Sequence, residues 1–446
     1  MLDGKCKMKL ERMAKRIFWK LPLSSSIKEK MRSAYFHRKL EREGLFEYII
    51  CTNNKDMLHR YAVQVLSLPL KEKSEYYTEF CWHEVCHERS AILVAYYLTQ
   101  YSPDKHNDEW WGKGNTEWDN VTSAVPQFVG HYQPRLPGEL GFYDLRVKDN
   151  MKRQIELAKN YGIEAFNFYY YWFDGERILE NAFNQFLQDP TLDISFMICF
   201  ANENWTKKYS GTDNDILISM TNTTENYKKF IFDAMDCFKD PRYLTVDGKL
   251  LLEIYRPDLL PDSKEIIKYW KTTVYKVLGR ELCVIAAQLN SEDWCALGFD
   301  FMNERAPSRR IRNCVRNITE QMNPVRRDFA GEIYDYQDLV MERKYLNGNN
   351  TGRKAYNTVM PMWDNTARRN QRGDVWHGST PDLYKQWLKD VIRIARENEC
   401  LSEPIVFINA WNEWGEGAYL EPDKKYGYAY LQATWEAKQE SQIIVS

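Results

Sequence analysis

An α/β chain closed into a (β/α)8 barrel, carrying an N-terminal helical extension, is what three observations in this sequence predict. Eight apolar runs of strand length recur from residue 91 onward, helical patterns separate most of them, and a polar-aromatic cluster follows nearly every run. Short apolar runs read as buried strands, and their alternation with helices implies a parallel sheet. Eight such units over roughly 350 residues fit the eight-stranded barrel with insertions.

The expected strands are residues 91–98, 165–171, 194–200, 250–255, 282–288, 299–303, 357–362 and 405–410. Expected helices are 148–161 ahead of the second strand, then 177–187, 224–238, 263–278, 381–398 and 426–439. Residues 89–446 form the barrel domain in this reading, and residues 1–88 a separate, basic helical extension, with a boundary zone near Lys71-Glu72-Lys73. Residues 1–50 hold 13 Lys or Arg against 6 Asp or Glu, interleaved with Ile17, Phe18, Trp19, Leu21 and Leu23. Such a segment suits peripheral contact with an anionic membrane, and equally suits a solvated helix whose apolar side packs on the barrel.

The 61 basic and 63 acidic residues leave a net charge of -2, which argues against nucleic acid as a partner. No run of about 18 apolar residues offers a transmembrane helix, and the apolar part of the amino terminus is too short for a signal sequence. The ten cysteines show no paired framework spacing, so the expected compartment is reducing and cytoplasmic, with membrane association through the extension as the variant.

Chemistry concentrates where strands end. The eighth strand runs into Asn412-Glu413-Trp414-Gly415-Glu416-Gly417, and two carboxylates at a strand edge are candidates for the acid and base of glycosidic chemistry. Glu413 as an ordinary helix cap and Glu416 as a solvated side chain are the plain alternatives. Trp411 and Trp414 bracket Glu413, and tryptophan faces beside carboxylates suit a pyranose. Other strand ends supply Trp110-Trp111, Tyr171-Trp172, Asn202-Glu203-Asn204-Trp205, Tyr255-Arg256, Glu304, and Trp363 with Asn365. In barrel enzymes the loops at that face build the site, so these residues are expected to converge there as a saccharide groove. Glu203 and Glu304 serve equally well as buried partners of arginines.

Other chemistries find less support. Cys81, His83, Cys86 and His87 are zinc-type donors without a second pair at a defined spacing, and no metal is expected. Nucleophile-elbow, P-loop and dinucleotide fingerprints are absent. Asp213-Asn214-Asp215 is too short a pattern to assign a nucleotide-sugar metal. Residues 305–327 hold seven arginines (305, 309, 310, 312, 316, 326 and 327) against Glu320 alone, which reads as a solvated loop ahead of an anion site for a group such as a diphosphate.

Five motifs carry a family resemblance over about residues 91–435. They are Trp110-Trp111-Gly112-Lys113-Gly114 with Thr116-Glu117-Trp118, Gly130-His131-Tyr132-Gln133-Pro134, Tyr169 to Phe173, Ala201 to Trp205, and the final glutamate motif. Together they resemble the WbsX-like proteins of bacterial surface-polysaccharide gene clusters, which are named glycosyltransferases yet share a barrel with the family 99 glycoside hydrolases, the endo-alpha-mannosidase family. Trp118 joins the strand-end tryptophans of that groove, and the resemblance adds Glu117, His131 and Tyr132 to the binding residues. It implies that Glu413 deprotonates the sugar 2-hydroxyl as internal nucleophile, that Glu416 is acid and then base, and that configuration is retained without a cofactor. The implied function is cleavage or transfer of a glycosidic bond, on a free or lipid-linked oligosaccharide or polysaccharide, in surface-polysaccharide or lipopolysaccharide assembly. A nucleotide-sugar glycosyltransferase and a non-catalytic glycan-binding barrel are the alternatives.

Overall fold

The computed structural model describes residues 73–84, 90–206, 216–287, 294–325, 328–346 and 353–441. The bulk of the basic extension, Cys86, His87, Asp213 to Asp215, Arg326 and Arg327 lie outside the described residues.

Eight strands form one closed parallel barrel: β1 (Ile92–Tyr97), β2 (Ala165–Tyr170), β3 (Ser195–Phe200), β4 (Lys249–Ile254), β5 (Leu282–Ala287), β6 (Phe301–Glu304), β7 (Ala355–Val359) and β8 (Ile405–Ile408). Each pairs in parallel with its neighbours in sequence, and β1 meets β8, so that Val94 stands opposite Ala165 on one side and Phe407 on the other. Closure leaves both faces of most strands covered, which is why Ile92–Tyr97 and Leu282–Ala287 are buried along their whole length.

Twelve helices are described: α1 (Lys105–Trp111), α2 (Glu117–Ser123), α3 (Lys148–Asn160), α4 (Glu180–Gln188), α5 (Thr224–Asp233), α6 (Met235–Lys239), α7 (Ser263–Leu278), α8 (Arg309–Cys314), α9 (Tyr336–Met341), α10 (Thr366–Arg369), α11 (Pro381–Glu397) and α12 (Ala429–Glu440). All eight expected strands are present, with β6 and β7 displaced by about two residues from the expected spans. The helix expected over residues 224–238 breaks at Ala234, where Cys237 N–H bonds back to the Ala234 carbonyl in a tighter turn. Between β5 and β6 no helix occurs among the described residues. Residues 73–84, read as part of the extension, lie along the barrel: Tyr428 N–H bonds to the Thr78 carbonyl at 2.8 Å, and His83 stacks on Trp435 with centroids 4.0 Å apart.

Two features position the site. The carboxyl ends of β2, β3 and β8 run into short antiparallel hairpins, and those of β6 and β7 carry a small three-stranded sheet made of Ile333–Asp335, Val375–His377 and Trp363–Asp364. Beneath them the barrel interior is polar. The fully buried Glu253 on β4 accepts the Tyr96 hydroxyl at 2.7 Å, the Asn167 amide at 2.7 Å and the Asn303 amide at 2.9 Å, and the Thr358 hydroxyl completes Asn303.

Candidate active site

The glutamate motif occupies a hairpin directly after β8. Asn412–Glu413 pairs with Ala418–Tyr419, and Trp414–Glu416 forms a single 3-10 turn closed by Gly417 N–H to the Trp414 carbonyl at 3.0 Å. Such a turn has about three residues per revolution, so positions three apart fall on one side and both carboxylates face the same way. Gly417 turns the chain at φ +56, a region costly for side chains with a Cβ. Asn412 anchors the hairpin, its amide exchanging two hydrogen bonds with the backbone of Leu98 at the end of β1 (2.8 and 3.0 Å). Glu413 occupies the cap position of the turn, yet its side chain makes no capping bond.

Its carboxylate instead meets Arg368 of α10. One guanidinium grips three glutamates: Nη2 reaches Glu413 at 2.6 Å, Nη1 reaches Glu416 at 2.8 Å, and Nε reaches Glu117 of α2 at 2.7 Å. Gly415 allows this contact, because a Cβ there would fall on the Glu117 carboxylate. The Glu117 and Glu413 side chains are 0% and 5% exposed, whereas 24% of Glu416 faces the open space above.

Burial raises all three acids. Glu416 is pushed up to about 7, by burial first and by the adjacent Glu413 charge second, with Arg368 and Arg305 opposing. Glu413 rises through burial, opposed by Arg368 and Arg305, and Glu117 rises for the same cause against Arg368. Glu416 therefore shares its proton with solvent near neutrality, as a general acid requires. Arg305 lies on the cavity floor, its guanidinium 4.2 Å from the Tyr96 ring and 4.7 Å from the Tyr255 ring, and it donates to the Tyr169 hydroxyl at 2.7 Å.

Above the acids opens a cavity of about 360 Å³, within the usual range for small-ligand pockets. Of the residues expected from sequence, Tyr171, Glu203, Asn204, Trp205, Tyr255, Trp363, Asn365, Glu413 and Glu416 line it. Several others stand one layer behind. Asn202 ties the β3 end to the Arg256 backbone with two bonds of 2.8 Å, and Arg256 pairs with Asp258 and with Glu203. His131 accepts Gln127 N–H on Nδ1, so its Nε2 carries the proton donated to Asp364 at 2.7 Å. Burial would raise Asp364, but His131 and Arg135 hold it below the usual carboxylate range. Tyr132 packs under Arg135 and points its hydroxyl at Asp423.

The tryptophans depart most from expectation. Trp411 and Trp414 do not offer their faces to a ligand: both are buried, Trp414 stacked on Tyr419 with its Nε1 bonded to Glu421 at 2.7 Å. Trp118 bonds to the Tyr143 carbonyl, and Trp172 packs among Phe200 and Phe230. Trp110 stacks on His106, and neither it nor the half-buried Trp111 lines the cavity. Glu304 pairs with Arg310 instead of facing the ligand space. Of the described arginines in the arginine-rich segment, Arg305 and Arg312 reach the cavity, contrary to the solvated-loop expectation, while Arg316 stays exposed beside Asp335. Sequence reasoning missed Arg368, although it lies three residues beyond the seventh strand-end motif, and also missed Tyr169, Asn409 and Arg369 on the wall. Among the described residues no group of three or more His, Cys, Asp or Glu side chains is placed to hold a metal ion, no helix is long and apolar enough to cross a membrane, and the seven described cysteines are free thiols.

Comparison with known proteins identifies a family and relatives. A family model described as Glycosyltransferase WbsX matches residues 93–434. Two curated relatives, each described as Uncharacterized protein WxcX, come from Xanthomonas campestris pv. campestris strains B100 and ATCC 33913. Each is 39% identical over 350 residues, covering 78% of this chain and 49% of the relative. The chain thus spans about half the length of the curated relatives it matches. Among solved structures, the GH99 endo-alpha-mannosidase from Bacteroides thetaiotaomicron is 15% identical, covers 79% of this chain and 98% of its own, and superposes with a TM-score of 0.47. A glycoside hydrolase-like protein is 15% identical with a TM-score of 0.49, covering 81% of this chain and 97% of its own. The barrel assignment rests on the strand register itself.

Proposed function

This chain belongs to the WbsX glycosyltransferase family, and on that premise we propose that it breaks or transfers a glycosidic bond with retention of configuration. The observation that carries the reading is the pair Glu413 and Glu416, held side by side on Arg368 at the floor of a cavity, with Glu416 pushed up to about 7.

In the first step the Glu416 carboxyl protonates the leaving glycosidic oxygen while Glu413 takes the proton of the sugar 2-hydroxyl. That oxygen attacks the anomeric carbon as the old bond breaks, giving a 1,2-anhydro ring with inversion. In the second, the Glu416 carboxylate takes a proton from water or from an acceptor hydroxyl, which opens the ring at the anomeric carbon with a second inversion, and Glu413 returns its proton to the 2-oxygen. This route needs a 2-hydroxyl trans to the leaving group, as in an alpha-mannoside. Arg368 keeps Glu413 charged enough to act as base, and burial keeps Glu416 protonated enough to act as acid. The substrate class is an oligosaccharide or polysaccharide, free or lipid-linked, of surface-polysaccharide or lipopolysaccharide assembly, handled at the cytoplasmic side. The basic extension would supply any membrane contact.

The test is Glu416→Gln with an activated alpha-mannoside. Removing the acid should lower kcat by about 10²–10⁴-fold with little change in ligand affinity, and an unaltered kcat would refute the assignment. A nucleotide-sugar transferase is the second reading, favoured by the family's own description. It requires a nucleoside diphosphate to raise the melting temperature, and no shift at saturation counts against it.

A further inference from the structure

Resting on that reading of the site, we infer that Glu117 is a positioning residue of the reaction: it shares Arg368 with the acid pair from beneath, and so leaves the pair a proton that Arg368 would otherwise displace. The family resemblance implies a sugar-binding role for this residue, but its side chain is wholly buried and does not line the cavity. Its contacts are with the acid pair's own cation.

The chain fixes Glu117 in place before any sugar arrives. It opens α2, where its N–H bonds to the Gln100 carbonyl at 3.0 Å beyond β1, and the capping pair Thr116 and Asp119 holds the first turn. The carboxylate then lies directly under Gly415, where a Cβ would come within 1.6 Å of Glu117 Oε1 and 2.8 Å of Arg368 Nε. Each guanidinium nitrogen meets a different acid: Nε meets Glu117 at 2.7 Å, Nη2 meets Glu413 at 2.6 Å and Nη1 meets Glu416 at 2.8 Å. Because the guanidinium is planar, a partner fixed on Nε sets the plane in which the other two nitrogens point. One cation divided among three carboxylates also holds each less firmly, since like charges within a few ångströms oppose ionisation. Glu413 is raised by burial first and, behind the opposing pull of Arg368, by the Glu117 charge.

Other ionisable groups surround this cluster. Arg305 comes from the end of β6, Arg369 from α10, and the neutral hydroxyls of Tyr101, Tyr169 and Tyr255 from the loop after β1, from β2 and from the end of β4. Asp364, with its partners His131 and Arg135, closes the side beside Gly417, and Glu203 with Arg256 stands on the cavity wall. Glu421 lies behind Trp414 and is pushed up to about 7 by burial, so it titrates alongside Glu416. It is present in every protein compared below.

The test replaces Glu117 by Gln, which keeps the shape and an oxygen for Arg368 without the charge, and by Asp, which keeps the charge. Without that charge Arg368 pulls harder on both acids, and each gives up its proton at lower pH. In E117Q both limbs of the kcat/KM profile on an activated alpha-mannoside should therefore move about one pH unit toward acid. KM should stay within about threefold of wild type, because Glu117 does not touch the sugar. E117D should lose rate while its basic limb moves by less than about 0.3 pH unit. A rate lowered equally at every pH in E117Q, or a raised KM with unmoved limbs, would overturn the inference. Denaturant unfolding gives a readout that needs no substrate. E416Q removes a carboxyl that must ionise as pH rises, and the stabilisation it gives at pH 8 should fall to about half in an E117Q background. An undiminished gain would also overturn the inference. If E117Q does not fold, E117A/G415A removes the same charge and sets a methyl group beside the vacated place, with the same shift expected. Failure of both to fold would make Glu117 a structural prop of Arg368 alone and end the proposal. An E416Q protein that still turns over sinks the catalytic reading and leaves the unfolding comparison standing, whereas unmoved limbs beside an inactive E416Q sink this inference alone.

Discussion

Glu416→Gln should stabilise the protein at alkaline pH even as it removes turnover. The Glu416 carboxyl stands at about 7 in the folded chain against an ordinary 4.5. Between those values the native state binds more protons than the unfolded one, so the wild type loses stability as pH rises through the window. At about 1.4 kcal/mol per pH unit the full loss is about 3 kcal/mol above pH 7. The amide does not titrate, keeps an oxygen for Arg368 and removes the like charge beside Glu413. Because 24% of the side chain is exposed, about 1–3 kcal/mol is the expected gain. Denaturant unfolding of both proteins at pH 5 and pH 8 isolates the effect, since the other buried acids titrate in each. The difference should be small at pH 5 and reach its plateau at pH 8. A difference independent of pH, or a variant less stable than wild type at pH 8, would refute the account of a strained acid.

Two further substitutions probe the arginine that joins the acids. Arg368→Met strands Glu117 and Glu413 without their cation and should cost about 3–5 kcal/mol at pH 8; the deficit should shrink at pH 5, where protonated acids no longer need it, and a deficit that does not change with pH counts against the triple contact. Gly415→Ala pushes a methyl group onto the Glu117 carboxylate and should cost about 1–3 kcal/mol together with most of the activity. In a Glu117→Ala background the penalty should fall, leaving only the 2.8 Å approach of the methyl group to Arg368 Nε, and an undiminished penalty would place the strain elsewhere.

The barrel was legible because parallel strands are buried on both faces, so Ile92–Tyr97 and Ile405–Ile408 announce themselves as apolar runs without any partner in view. The acid pair drew notice because two carboxylates directly follow such a run, but a helix cap and a solvated side chain explained them equally well without the flanking tryptophans. The tryptophans misled because adjacency in sequence says nothing about facing. Trp411 and Trp414 flank Glu413 in the text, but the hairpin turns them into the core, where Glu421 satisfies the Trp414 indole. Arg368 was illegible from periodicity, as α10 spans only Thr366–Arg369 and shows less than two turns of pattern. Its role depends on meeting Glu117, 251 positions away, a coincidence that no local spacing encodes.

The carboxylate at the heart of the barrel bears on how the strands find one another. Ile, Val, Leu and Phe staves are nearly interchangeable, and a cylinder made of them alone could settle one notch out of line at little penalty. Glu253 discriminates, because its donors come from β1, β2 and β6 while it sits on β4 itself. A slipped stave would leave a buried carboxyl group with no donor to meet it, a costly state. The hidden acid thus acts as a key cut for one alignment, and the mouth above it inherits that alignment.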